Sequence, residues 1–220
     1  MSTIDQFNTF QKFSEPTEAL DLLELLKANN INGLFDDNST SFDPTFSASQ
    51  LTKEYRVKLL KKDFEPARKL LLTLYASQLE NADPNHYLFS FTDEELIEII
   101  HKQNEWSYFD FLLAQKILKD RGKDVSPEQI ETLWKERIKE LSTPENKQTG
   151  WIIVGYLFAL TGGLLGIFIG WYLSRHKKTL PDGNVVFAYS ASDRKHGYFI
   201  FLIGIVSFFV WVVYKLSQMN

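Results

Sequence analysis

Cysteine is missing from all 220 residues. Disulfides, thiolate nucleophiles and zinc–thiolate sites are therefore excluded, and the redox compartment cannot be read from cysteine usage. The first residues, "MSTIDQFNTFQKF", lack both a basic n-region and an apolar h-region, so no cleavable signal peptide is expected. Acidic residues are scarce at the far end. Residues 151–220 hold Asp182 and Asp193 against six Lys/Arg, a net of +4, whereas residues 1–150 hold 18 Lys/Arg and 26 Asp/Glu, a net of −8. An acidic N-terminal part has no electrostatic pull on a phosphate backbone, so nucleic acid is not an expected partner.

Charge and hydrophobicity change together near Gly150, which marks a domain boundary; the ordinary mean hydropathy of −0.20 averages two unlike parts. From Trp151 to Leu173, "WIIVGYLFALTGGLLGIFIGWYL" carries no charge, and at about 1.5 Å per residue a continuous helix there would span about 34 Å. A second run, Gly197 to Tyr214, "GYFIFLIGIVSFFVWVVY", would span about 27 Å. Trp151, Trp171 and Tyr172 at the ends of the first run, and Tyr198, Trp211 and Tyr214 on the second, fit the aromatic belts of a bilayer interface. The expectation is a two-helix transmembrane hairpin, residues 151–173 and 197–214, joined by a loop at 174–196. Neither run holds an ionisable side chain, so the hairpin reads as an anchor rather than an ion or proton pathway.

In the first run Gly155, Ala159, Gly162, Gly166 and Gly170 recur every three or four residues, laying a stripe of near-bare backbone along one helix. Small residues let a second membrane helix approach closely. Gly204 on the second run could meet this stripe, or the stripe could serve a partner protein or a second copy; the spacing leaves both open. The loop carries Arg175, Lys177, Lys178, Arg194 and Lys195, which favours a cytoplasmic loop. In a two-pass hairpin that would export an N-terminal domain without a signal. The larger demand decides, and the expected location is a bacterial inner membrane crossed twice, with the N-terminal domain cytoplasmic.

Within residues 1–91, strand and helix periods alternate. Phe7 to Phe13 reads as a strand, although Phe7, Phe10 and Phe13 do not alternate cleanly. A helix follows Glu15-Pro16 with Ala19, Leu22, Leu23 and Leu26 on one face, ending at Asn29-Asn30. "INGLF" is the next strand. In "YRVKLL", Tyr55, Val57 and Leu59 point one way and Arg56 and Lys58 the other. Asp63 is expected to cap a second helix, with Phe64, Ala67, Leu70, Leu71 and Leu74 on one face, and "HYLFSF" reads as a fourth strand. The order β-α-β-β-α-β predicts an α+β, ferredoxin-like sandwich.

"FQKFSEPTEALDLLELLKANNINGLFDD", followed by "YRVKLLKKDFEPARKLL", resembles the bacterial family of prokaryotic signal-transducing proteins, a domain of unknown function, over about residues 5–76. The resemblance implies a fold related to the PII-like, ferredoxin-like regulators, which sense small molecules through loops and trimer clefts. It carries no catalytic motif. No glycine-rich or basic phosphate loop occurs here, so nucleotide sensing does not transfer, and an unidentified small-molecule ligand stays open.

Residues 92–141 read as a three-helix segment. Thr92 and Glu95 form a capping box ahead of Leu96, Ile99 and Ile100. A helix from about Ser107 to Arg121 carries Phe109, Leu113 and Ile117 and stops at Gly122. Another opens at Ser126-Pro127 and is expected to bury Ile130, Leu133, Trp134, Ile138 and Leu141. Residues 142–150 form a linker. His86, His101, His176 and His196 show no metal-ligand spacing. Asp36, Asp37 and Asp43 lack the Gly and bidentate Glu of a calcium loop, and Glu105, Trp106 and Asp110 read as a plug between helices rather than a peptide dock. With no nucleophile elbow, triad order or phosphate loop, no enzyme activity, cofactor or metal is expected. Two functions are expected in competition. One is a membrane-anchored sensing or interaction module acting through the Asp36–Gln50 segment and an open sheet face. The other is an accessory subunit held in a larger membrane assembly by its hairpin.

Overall fold

The computed structural model describes residues 7–38, 54–161 and 163–219. They form two compact units. The first is Met1–Glu140 with the short segment Thr179–Asn184; the second is Leu141–Lys178 with Val185–Asn220.

In the first unit the elements run β1 (Phe7–Phe13), α1 (Pro16–Ala28), β2 (Gly33–Asp37), β3 (Tyr55–Leu60) and α2 (Lys61–Ala76). The sheet is antiparallel, in the order β1-β3-β2. Tyr55, Val57 and Leu59 on the central strand face Ala19, Leu22 and Leu26 of α1 and Phe64, Ala67 and Leu71 of α2 in one core. The uneven spacing of β1 has a local cause: its register to β3 shifts between Thr9 and Gln11. A bulge inserts one residue and changes the strand's parity, so Phe10 and Phe13 both pack on this core. Phe10 meets Phe64 edge-on at 5.3 Å between ring centres. Asn30, at φ 61, turns α1 toward β2. The helix α2 starts after Leu60 with no side-chain cap, so Asp63 sits in its first turn rather than capping it.

The ferredoxin-like expectation is not met. Tyr87–Ser90, within the expected fourth strand, is a 3-10 turn. Two local bonds fix it: Asn85 N–H donates to Asp83 Oδ1 at 2.8 Å, and Leu88 N–H to His86 Nδ1 at 3.4 Å. Side chains that bind neighbouring backbone offer it an alternative to a sheet ladder. Leu88 is fully buried while Tyr87 and Phe89 stay exposed, and Leu88 joins a separate helical core instead of the sheet.

That second core is built by α3 (Asp93–His101), α4 (Tyr108–Asp120) and α5 (Pro127–Ser142). Leu96, Ile99 and Ile100 meet Leu113, Ala114, Ile117 and Leu118. Both halves of the Thr92–Glu95 capping box form, at 2.7 and 3.3 Å, and a matching box joins Ser126 to Gln129. Gly122, at φ +76, ends α4. The helix α5 buries no residue fully; Ile130 and Leu133 lie half-buried against the core, and Trp134 lies under the guanidinium of Arg68 at 5.2 Å.

The second unit holds α6 (Thr149–Thr161), α7 (Leu164–Arg175), the short strands β4 (Lys177–Thr179) and β5 (Val185–Phe187), and α8 (Ala191–Met219). The β4–β5 turn closes at Leu180–Asn184, with Gly183 at φ +80. With eight α-helices and two small sheets among the described residues, the chain is mostly helical.

Candidate membrane-facing site

The run from Trp151 to Leu173 is not one helix. It breaks at Gly163, whose φ of +83 is a left-handed backbone conformation that residues with a Cβ rarely adopt. Gly163 N–H donates back to Phe158 O at 3.1 Å, closing α6, and Gly163 O accepts from Ile167 N–H at 2.8 Å, opening α7. The two helices then fold side by side. A Cβ built on Gly166 would lie 2.6 Å from Ala159 Cβ, and one on Gly155 would lie 3.0 Å from Ile169 Cγ2. Pairs 159/166 and 155/169 define antiparallel packing. At 13 and 12 residues, α6 and α7 are about 20 and 18 Å long, short of the roughly 30 Å of bilayer hydrocarbon.

The two-helix transmembrane hairpin is therefore corrected. Among the described residues one helix, α8, is long and apolar enough to cross a membrane, with a mean hydropathy of 2.3 in its most apolar window. It runs antiparallel to α7. Gly170 approaches Gly197 and Gly163 approaches Gly204: added Cβ atoms would lie 2.6 Å from Gly197 O and 3.0 Å from Gly163 O. Each glycine pair is seven residues apart on its own helix, two turns along one face. No family model, curated protein or solved structure matches the chain.

Of the small residues singled out in the sequence, Gly155, Ala159, Gly166, Gly170 and Gly204 all face other helices of the same chain; the stripe expected along one helix is divided between α6 and α7, and Gly204 lies on α8. Gly162 lies outside the described residues. Gly197 and Gly163 were missed as packing positions. The equal intervals 163–170 and 197–204 were the signal that pairs them.

At one end of the unit, polar bonds tie the segment before α6 to the loop after α7. Glu145 N–H donates to Ala188 O at 2.8 Å and Lys178 Nζ donates to Thr143 O at 3.0 Å. Between α6 and α8, the Tyr156 hydroxyl meets His196 Nδ1 at 3.1 Å. Ser190 and Asp193 cap α8, and Asp193 is buried there. Phe187 lies beneath two cations, with Arg194 at 3.8 Å and Lys177 at 5.1 Å from the ring centre. Trp151 and the Trp171-Tyr172 pair, expected at opposite interfaces, come to this same end because α6 and α7 are antiparallel.

The other described residues considered for chemistry are held in structural contacts. Asp36 pairs with Lys58 at 2.8 Å across β2 and β3; Asp43 and most of the Asp36–Gln50 segment lie outside the described residues. Glu105 pairs with Arg137, Trp106 packs on Phe91, and Asp110 accepts from Ser107 at the start of α4. Partial desolvation of its hydroxyl, on a ring otherwise exposed, together with a hydrogen bond to Asp110, pushes Tyr87 up to about 12. His86 stacks on Tyr87, and His176 on Tyr172, each at 4.5 Å. Among the described residues no three His, Asp or Glu converge as a metal site.

Proposed function

We propose that the chain is a membrane-anchored, non-catalytic signalling or protein-interaction module, with its N-terminal unit at the inner face of a bacterial membrane. The observation that supports this is the exposure of α8: only 11% of its most apolar window is buried. A core helix of a water-soluble protein buries most of such a surface. Val206, Phe209, Val210, Val213 and Leu216 are each more than half exposed, and an exposed apolar area of this extent calls for lipid or a partner. The signalling role rests on the resemblance over residues 5–76.

The second reading, an accessory subunit of a larger membrane assembly, draws on the same α8 positions, which the other described residues leave exposed. Photo-cross-linking in native membranes separates the two. A cross-linker at Leu20 or Phe89, exposed on the N-terminal unit, captures a partner if the module signals through that unit. Capture only from Val213 or Val206 favours the accessory subunit. Capture from neither position defeats both partner assignments.

A further inference from the structure

We propose that α6 and α7 form a re-entrant hairpin that dips into the membrane and returns, so that α8 is the single crossing. The N-terminal unit and the basic loop between α7 and α8 then lie on the same side. This rests on the membrane reading above. Its grounds lie in the second unit. The segment before α6 and the loop after α7 share a backbone hydrogen bond, Glu145 to Ala188, and a side-chain bond, Lys178 to Thr143. A bilayer cannot lie between groups about 3 Å apart. The loop tip, Thr179–Asn184, also folds with the N-terminal unit, where Asn8 Nδ2 donates to Gly183 O.

The dimensions agree. From the polar end, α6 reaches about 20 Å before the turn at Gly163, past the middle of a hydrocarbon layer roughly 30 Å thick but short of its far side. Gly163 packs near Phe208 of α8, and α8 continues for 11 residues to Met219, about another 16 Å. That carries Trp211, Tyr214 and Lys215 to the opposite interface, where such residues settle. Near the polar end lie Trp151, Trp171, Tyr172 and Tyr198.

The arrangement also removes the conflict over orientation. In a two-pass hairpin, the five basic residues of the loop and the N-terminal unit would compete for the cytoplasmic side. Here Arg175, Lys177, Lys178, Arg194 and Lys195 join Lys147 on the unit's own side, and Lys215 stands alone beyond the crossing. Both demands point to the cytoplasm. The basic rim faces the anionic headgroups of that leaflet.

The cysteine-free chain makes the test direct. Single variants Asn146→Cys, Val185→Cys and Gln218→Cys, all at exposed positions, are expressed in full-length protein and probed in intact spheroplasts with a membrane-impermeant maleimide. Expected is labelling at 218 only, with 146 and 185 reacting after permeabilisation. Labelling of 185 but neither 146 nor 218 means two crossings and overturns the proposal. Equal protection, or equal labelling, of all three means no crossing and overturns it as well. Recovery of the chain in an alkaline carbonate supernatant defeats the membrane reading itself, a failure distinct from either topology result.

Discussion

A methyl group placed on Gly166 would fall 2.6 Å from the Cβ of Ala159, seven residues earlier in the chain. On a continuous helix those residues would lie about 10 Å apart along the axis. Their contact is what folding α6 back on α7 means at atomic scale. Replacing Gly166 with Leu must separate the two helices. Overpacking of this kind costs about 1–3 kcal/mol, and Gly166→Leu is expected to lower the melting temperature of the detergent-solubilised chain. Gly150→Leu, where nothing lies within 4 Å of an added Cβ, is expected to leave it nearly unchanged.

Gly163 tests the turn rather than the packing. Its positive φ makes any side chain strained, by about 1–2 kcal/mol from backbone handedness alone. An added Cβ would also lie 2.8 Å from Phe208 Cβ. Gly163→Ala is expected to destabilise the second unit, whereas Gly122→Ala, at a similar φ but in open space, should cost only the backbone part. The gap between the two melting shifts measures the α8 contact.

In the first unit, Leu96 is wholly enclosed by the α3–α4 core. Leu96→Ala is expected to cost about 2–5 kcal/mol by lost transfer energy and the cavity left behind. Leu20→Ala, on the exposed side of α1, should cost far less. Denaturant unfolding of the full-length variants in detergent checks both.

The sequence showed the period-two pattern of β3 and the Thr92–Glu95 capping box plainly, because these signals are local. It misread "HYLFSF", where the period of two was present but the bonds of Asp83 and His86 to nearby backbone turned the chain. The break at Gly163 was harder to see. An uncharged run of 23 residues reads as one span, and nothing local reveals that Ala159 and Gly166 should touch. That contact depends on α8 lying alongside, with glycines spaced to match. Splitting the stripe of small residues between α6 and α7 is a tertiary fact, and its match to α8 is visible in sequence only as the repeated interval of seven.

Acid sensitivity follows from Asp93. Hydrogen bonds from Lys123 and then Arg121 hold its carboxyl below the ordinary range, with the cations at 2.6 and 2.8 Å. A carboxyl that binds its proton less readily when folded stabilises the fold above its unfolded pKa, near 3.9. That contribution is lost as the pH falls through the folded value. Asp93→Asn is expected to flatten the acid limb of a stability-against-pH curve between about pH 5 and pH 2, and to shift stability at pH 7 only modestly because the pair is at the surface.

The account stands or falls on α8 lying in lipid. Membranes from cells making the full-length chain, washed with alkaline carbonate and then extracted with a mild detergent, test it most directly. The chain is expected to stay in the carbonate pellet and be released by detergent; its recovery in the carbonate supernatant as a monomer would contradict the membrane anchor and the topology built on it.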